Sequence, residues 1–150
     1  KMKRINQYKK LFSVEGAIDL KELKTNYRNL VKEWHPDKHT ADDTKKEEAE
    51  EMSRQITDGY AFLMSIAPDT IAKGQEEYTN TLENAFIDDM QHKSLLLEIS
   101  FTDGSTYEYF GVNKTLFSKL VNADKMQRFA RRNIFNSFTY RKSKKTVEAE

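Results

Sequence analysis

In the stretch Lys32-Glu-Trp-His-Pro-Asp-Lys-His39, an imidazole and a carboxylate lie on either side of a proline. The residues before it have the apolar spacing of a helix. Pro36 is expected to end that helix, because its ring removes a backbone donor and pushes His35 out of α geometry. Three interpretations of this helix end are open: a metal site, a catalytic group, or a surface that another protein recognises.

The helix before Pro36 is predicted to begin at a capping box, Asp19-Leu-Lys-Glu22, in which the Asp19 side chain accepts the backbone N–H of Glu22. Six apolar residues then recur on one helical face: Leu20, Leu23, Tyr27, Leu30, Val31 and Trp34. Four cations follow another face at spacings of 3, 4 and 4: Lys21, Lys24, Arg28 and Lys32. Such a row is weakly unfavourable for the helix itself, so an acidic partner is expected to cover it.

A short helix, residues 6–12, is predicted before this one, and a longer helix, residues 44–66, after it. The buried side of the longer helix is predicted at Ala49, Met52, Ile56, Tyr60 and Leu63. Residues 39–43 would be a loop, and Pro68 would close the longer helix. The first half therefore predicts an all-α domain, an antiparallel helical hairpin plus a short first helix.

The metal and catalytic interpretations of the stretch are weak. His35, Asp37 and His39 could ligate an ion, but the sequence has no second His or Cys cluster to complete four ligands. Nothing local forces a Ser or Thr nucleophile beside His35, and no Gly-rich phosphate loop is present. We therefore expect no metal, no cofactor and no enzymatic activity.

Residues 5–66 resemble a J-domain, the signature module of DnaJ-type co-chaperones. The matching residues are Tyr8, Leu11, Lys24, Tyr27, Arg28, Leu30, Trp34, His35-Pro36-Asp37-Lys38, Ile56, Tyr60 and Leu63. Phe12 stands where a Gly is usual and Met52 where a Phe is usual. The family's basic end of the third helix and short fourth helix are not evident in the sequence.

The resemblance implies binding to a DnaK-type chaperone ATPase and stimulation of its ATP hydrolysis. It implies that His35, Pro36 and Asp37, the HPD motif, act as the trigger, with Lys38 beside them. Docking would fall to the cations of the preceding helix, which are Lys21, Lys24, Arg28 and Lys32. The protein itself would perform no chemistry.

The second half changes character after about residue 85. Leu95, Leu97, Ile99 and Phe101 alternate with Leu96, Glu98 and Ser100, a period of two. A turn at residues 102–105 then predicts a β-hairpin with a second strand at residues 106–111. Further elements are predicted in a helix capped by Asn113, a basic helix over residues 125–134 and a short strand over residues 138–140. The fold class is thus two small domains, the all-α one followed by a small α+β domain.

Residues 85–142 also resemble, more faintly, a KTSC domain, a small α+β module found at the C-terminus of some lysyl-tRNA synthetases. Lys125, Gln127 and Arg131 depart from the small, Gly and Asn residues usual there. The resemblance implies fold more than activity. The predicted domains are therefore residues 1–68, a partly helical connector over residues 69–84, the KTSC-like residues 85–142, and a charged tail over residues 143–150.

Two functions of different class are open for the second half. The first is capture of a client protein or an anchor, with Tyr107, Tyr109 and Phe110 as surface contacts. The second is binding of RNA or another polyanion, since residues 125–147 hold eight cations and no acid. The candidate phosphate contacts are Lys125, Arg128, Arg131, Arg132, Arg141 and Lys142, and the candidate stacking rings are Phe129, Phe135, Phe138 and Tyr140. The structural alternative is that the rings form a core and the cations are merely solvated.

Composition limits the remaining classes of protein. The chain has no cysteine, which excludes a disulfide scaffold, a thiolate metal site and a cysteine nucleophile, and fits a reducing compartment. The most apolar run, residues 95–101, is far shorter than the roughly 20 residues of a membrane helix. No signal peptide is recognised. A cytoplasmic location is therefore expected.

Overall fold

The computed structural model describes residues 2–35 and 43–143, and the chain divides into two compact units. The first unit comprises residues 3–70, and the second begins at residue 71. The described helices and strands are α1 (Met2–Leu11), α2 (Leu20–Trp34), α3 (Asp43–Ile66), α4 (Pro68–Lys73), α5 (Gln75–Asn84), β1 (Ile87–Lys93), β2 (Leu96–Phe101), β3 (Thr106–Phe110), α6 (Lys114–Val121), α7 (Met126–Asn133) and β4 (Thr139–Lys142).

Helices α2 and α3 form the predicted antiparallel hairpin. The rings of Tyr27 and Tyr60 stack with their centroids 4.1 Å apart. Closer to the loop, the Ser53 hydroxyl donates to the Trp34 carbonyl at 3.2 Å. Later residues of α2 thus contact earlier residues of α3, which is the antiparallel arrangement.

Helix α1 packs against α3 where Gly59 leaves room for two rings. A Cβ atom at Gly59 would lie 2.7 Å from Cδ1 of Tyr8 and 3.0 Å from Cε2 of Phe12. Phe12 is fully buried, and its carbonyl accepts from the Asn26 side chain at 2.9 Å, which ties the end of α1 to α2. The phenylalanine at position 12 is therefore part of the core, and Gly59 supplies the volume that its ring needs.

The short fourth helix that was not evident in the sequence is present as α4. Its first residue is Pro68, a position at which the missing N–H of proline leaves no helical hydrogen bond unmade. Helix α5 follows, inside the segment expected to be a connector. Its Tyr78 is 1% exposed and belongs to the core of the second unit, so α5 is a structural helix of that unit.

The second unit is a four-stranded antiparallel sheet in the order β1-β2-β3-β4, with helices on one face. The predicted alternation holds within β2: Leu97, Ile99 and Phe101 are buried, whereas Leu96, Glu98 and Ser100 are only partly so. It is wrong for Leu95, which precedes the strand and is exposed. The buried side chains contact a cluster to which all three helices contribute, through Tyr78, Leu120 and Ala130.

Strand β1 was missed in the sequence. Its residues Ile87-Asp-Asp-Met-Gln-His-Lys93 are mostly polar, because β1 is an edge strand and most of its side chains face solvent. A register shift between Ile87 and Asp89 interrupts its pairing with β2, and such a bulge breaks the period of two that a strand prediction needs. The strand is held by backbone pairing, which leaves little signal in the sequence.

Aromatic residues of the second unit form its core, which corrects both uses proposed for them. Tyr107, Tyr109 and Phe110 are at most 3% exposed, so they cannot serve as surface contacts for a client. Four rings are predicted from the sequence to stack on bases. Phe135 is fully buried, and the other three, Phe129, Phe138 and Tyr140, are half-buried and packed against the core. The interpretation as a stacking platform is therefore wrong for Phe135, and the other three rings also contribute to the core.

Candidate partner-binding site

The amino end of α2 has the cap that the sequence predicts, with a small difference in geometry. Asp19 Oδ1 accepts from the backbone N–H of Lys21 at 2.9 Å and from that of Glu22 at 3.4 Å. The shorter bond is therefore made one residue earlier than expected. At the other end His35 has φ −60° and ψ 129°, the extended conformation that a following proline favours.

The cation stripe, which comprises Lys21, Lys24, Arg28 and Lys32, lies along the exposed side of α2. All four residues are exposed, whereas Leu23 on the opposite side is 1% exposed and packs into the core of the unit. Within the residues that the structure describes, none of the four makes an ion pair. The stripe leads along the helix to His35, which is also exposed.

Three of the predicted site residues, Pro36, Asp37 and Lys38, lie outside the described residues. So does His39, one of the candidate metal ligands. For the described ranges 2–35 and 43–143, no group of three or more metal-ligating side chains converges. In the same ranges no helix is both long enough and apolar enough to cross a bilayer.

The basic residues of the second unit divide into two groups. Arg141 donates to Glu108 Oε1 at 2.8 Å, with both side chains largely buried, and Lys142 pairs with Glu77. These two cations are used within the unit. The remaining candidates are exposed on or directly before α7: Lys125, Arg128, Arg131 and Arg132. The six predicted phosphate contacts are therefore not equivalent.

A tyrosine cluster joins α5 to the sheet beneath it. The Tyr78 hydroxyl donates to the Phe135 carbonyl at 2.7 Å and lies 3.0 Å from the Tyr109 hydroxyl. The Tyr78 and Tyr140 rings stack with centroids 4.0 Å apart. Burial raises the pKa of Tyr78 and Tyr109 well above the ordinary tyrosine value, and it raises the pKa of Tyr107 to about 12. A cluster held neutral in this way acts as core and offers no base at physiological pH.

Comparison with known proteins assigns both units. Residues 6–70 match the family model of the DnaJ domain. The first unit is a helical J-domain. Residues 89–138 match the family model of the KTSC domain, so the α+β unit carries that second module.

Curated relatives match the J-domain segment. The chain is 38% identical over 56 residues to the chaperone protein DnaJ of Thermoplasma acidophilum, covering 37% of this chain and 14% of that protein. It is 34% identical over 61 residues to the chaperone protein DnaJ of Thermotoga maritima, covering 41% and 16%. A third match, 33% over 63 residues, is to the DnaJ protein P58IPK homolog A of rice, covering 42% and 13%. The chain thus spans about a seventh of the length of the curated relatives it matches.

Proposed function

We propose that this J-domain co-chaperone docks on a DnaK-type chaperone through α2 and stimulates its ATP hydrolysis. In this proposal the chaperone carries out the hydrolysis, and the chain acts by binding to it. In this proposal the cation stripe makes the encounter, while His35, Pro36 and Asp37 act on the chaperone once the two proteins are in contact. A carboxylate such as that of Asp37 can form a charge-assisted hydrogen bond, and the ring of Pro36 fixes the backbone torsion φ at the position directly before it.

The observation that carries the proposal is the exposed cation stripe ending at His35. Four like charges at spacings of three and four residues repel each other, so the arrangement does not stabilise the isolated helix. Leu23 is buried while all four cations are exposed, so the two faces of α2 have separate tasks. One face holds the hairpin together, and the other is available to an acidic surface.

The test of the trigger is single-turnover ATP hydrolysis by a DnaK-type chaperone with and without the purified chain. The wild-type chain should accelerate hydrolysis, and Asp37→Asn should abolish the acceleration. Helicity and melting temperature of the variant should match wild type, since Asp→Asn removes the charge but keeps nearly the same side-chain size and shape. Normal stimulation by a folded Asp37→Asn variant would refute the trigger.

The test of the docking face is the salt dependence of binding to the chaperone. Electrostatic encounter raises the association rate, so affinity should fall as salt rises and the loss should appear mainly in the association rate. Lys24→Glu with Arg28→Glu should weaken binding at low salt and flatten the salt dependence. An affinity that is the same at low and high salt would exclude the cation stripe as the contact.

We propose that the second unit binds a client protein, or an anchor that fixes the chain at one place in the cell. This unit has its own buried cluster, built from its sheet and helices, and therefore has a core of its own. A separate core is what an independent binding module needs. Deleting residues 75–150, which removes α5 together with the rest of the unit's core, should leave ATPase stimulation intact and abolish co-purification of a specific client. Loss of stimulation in the deletion would contradict this division of labour.

A further inference from the structure

Helix α7 exposes a set of cations that the fold does not use. Its apolar side is defined by Ala130, which is fully buried, and by Met126 and Phe129, which pack against the core. The other side carries the α7 cations, which we define as Lys125, Arg128, Arg131 and Arg132. All four are exposed, and in the described part of the chain none of them forms an ion pair.

An exposed aromatic ring is held next to this helix. Phe86 is 66% exposed, the highest exposure among the large apolar side chains that the structure describes as exposed. Its backbone is fixed on both sides: its N–H donates to Thr102 Oγ1 at 3.0 Å, and its carbonyl accepts from the Thr102 N–H at 2.9 Å. A ring on so well fixed a backbone loses little conformational freedom when it makes a contact.

Gln127 of α7 contacts the backbone on both sides of Phe86. Its Oε1 accepts from the Ile87 N–H at 3.0 Å, and its Nε2 lies 3.5 Å from the Ala85 carbonyl. One side chain of α7 is therefore within hydrogen-bond distance of the backbone on both sides of Phe86. Arg131 lies one turn from Gln127 along the same helix, and Arg128 directly follows it. The backbone that carries the ring therefore lies against the helix that carries the cations.

We propose that this surface, Phe86 with the α7 cations, binds a single-stranded nucleic acid. The phosphodiester chain would be neutralised by the α7 cations, and one base would stack on the Phe86 ring. Cations without an ion pair would suit any polyanion, whereas cations on a helix that packs beside an exposed ring suit a chain that carries both phosphates and flat bases. This binding is independent of docking on the chaperone, which uses the other unit.

Two acids limit where the phosphates can lie. Asp88 and Asp89 follow Phe86 on the edge strand and are exposed. Their negative charges oppose phosphate binding on the β1 side of the ring, so the nucleic acid should approach from the side of α7. Removing these charges should therefore strengthen binding, the opposite of the effect of removing the arginines.

The experiment measures fluorescence anisotropy of a labelled uridine oligomer of about 12 nucleotides, long enough for a typical single-strand site, and of the matching thymidine oligomer. Four cations predict a slope of about −2.8 in log affinity against log salt, hence a roughly 50-fold loss between about 50 and 200 mM salt. Replacing Arg128, Arg131 and Arg132 by Gln should reduce the slope by about 2. The charge-matched control, Lys73→Gln with Lys93→Gln and Lys114→Gln, should leave it nearly unchanged.

The contribution of the ring is tested separately. Phe86→Ala should weaken binding about fivefold or more, which corresponds to the lower end of a base-stacking contribution of about 1–3 kcal/mol. Val121→Ala, which shortens another exposed apolar side chain, should have no effect. Asp88→Asn with Asp89→Asn should tighten binding. ATPase stimulation of the chaperone should be unchanged in all of these variants, so a failure of this proposal is distinct from a failure of the docking proposal.

Three outcomes would overturn the proposal. The first is no anisotropy change at about 100 µM protein and 50 mM salt, conditions that detect even non-specific binding. The second is an equal loss of affinity in the arginine variant and in its charge-matched control. The third is binding of a poly-glutamate peptide of the same charge as tightly as the oligonucleotides, with no effect of Phe86→Ala, which would make the surface a site for an acidic protein.

Discussion

Replacing Tyr78 by Phe should destabilise the second unit, because the Tyr78 hydroxyl serves two buried partners. Its single hydrogen goes to the Phe135 carbonyl at 2.7 Å, so the Tyr109 hydroxyl must donate to the Tyr78 oxygen across the 3.0 Å contact. Tyr78→Phe leaves one acceptor and one donor unsatisfied in the core. At about 1–3 kcal/mol for each unsatisfied buried group, with some relaxation, the expected loss is about 2–4 kcal/mol.

The matched control lies in the same cluster. The Tyr140 ring stacks on Tyr78, and within the described residues its hydroxyl is buried without a hydrogen-bond partner. Tyr140→Phe removes an unsatisfied polar group, so it should leave stability unchanged or raise it. The pair compares two identical chemical deletions that differ only in hydrogen bonding.

Native-state hydrogen exchange measured by mass spectrometry is the suitable assay, because it follows each unit separately. In Tyr78→Phe, the slowest amides of β2 and β3 should exchange roughly 30-fold faster or more, as a loss of about 2 kcal/mol requires. The single tryptophan, Trp34, lies in the first unit, so its fluorescence transition in urea should not move. Equal effects of Tyr78→Phe and Tyr140→Phe would refute the hydrogen-bond account of how α5 is held.

Three other predictions concern the same fold. Burial raises the pKa of Tyr78, Tyr107, Tyr109 and Tyr140 in the folded state, so their contribution to stability is complete below about pH 10 and is lost as the pH rises above it. Tyrosinate absorbance and circular dichroism of the second unit should therefore change together above about pH 10. Ionisation of these tyrosines at about pH 10 with the fold intact would contradict this prediction. Burial acts to raise the pKa of Asp103, but hydrogen bonds from Ser105 and Thr81 outweigh it and hold that pKa below its usual value. The contribution of Asp103 to the free energy of unfolding should therefore be present above about pH 4 and be lost as the pH falls. Asp103→Asn should make stability depend less on pH in this acidic range, and an unchanged dependence would exclude this role. Gly59→Ala should destabilise the J-domain by about 1–3 kcal/mol, because the added Cβ would clash with Tyr8 and Phe12. A gain of up to about 1 kcal/mol in helix propensity offsets part of this loss. Thermal melts test the prediction, and a melting temperature above that of wild type would show that α1 can move away without cost.

The J-domain could be predicted from sequence because its signals are local. The spacing of Leu20, Leu23 and Tyr27 places one face of α2 in the core, and Asp19 and Pro36 mark the ends of the helix to within one residue. Gly59 carries no such signal. Its role depends on Tyr8 and Phe12, about fifty residues away in sequence, and only the packed structure brings these residues together.

The second unit was harder to predict because its sequence is ambiguous about which aromatic residues are exposed. A run such as Thr106-Tyr-Glu-Tyr-Phe110 suggests one buried and one solvated face, yet all five residues of β3 are buried. Strand β3 lies between β2 and β4, and the buried Glu108 is accommodated by its ion pair with Arg141 on β4. For the same reason the sequence predicts Arg141 as a phosphate contact although it pairs with Glu108. It gives no signal for Phe86, whose exposure is evident only once β1 is known.

The central claim is that the cation stripe of α2 delivers this J-domain to a DnaK-type chaperone, and single-turnover ATP hydrolysis tests it most directly. Two variants with the same change in net charge are compared at low salt on a chaperone that has been loaded with ATP and freed of excess nucleotide: Lys24→Glu with Arg28→Glu, and Lys93→Glu with Lys114→Glu in the second unit. The account predicts that the first variant loses most of its stimulation at a limiting concentration of the chain, while the second stimulates like wild type. Equal stimulation by both variants would contradict the account.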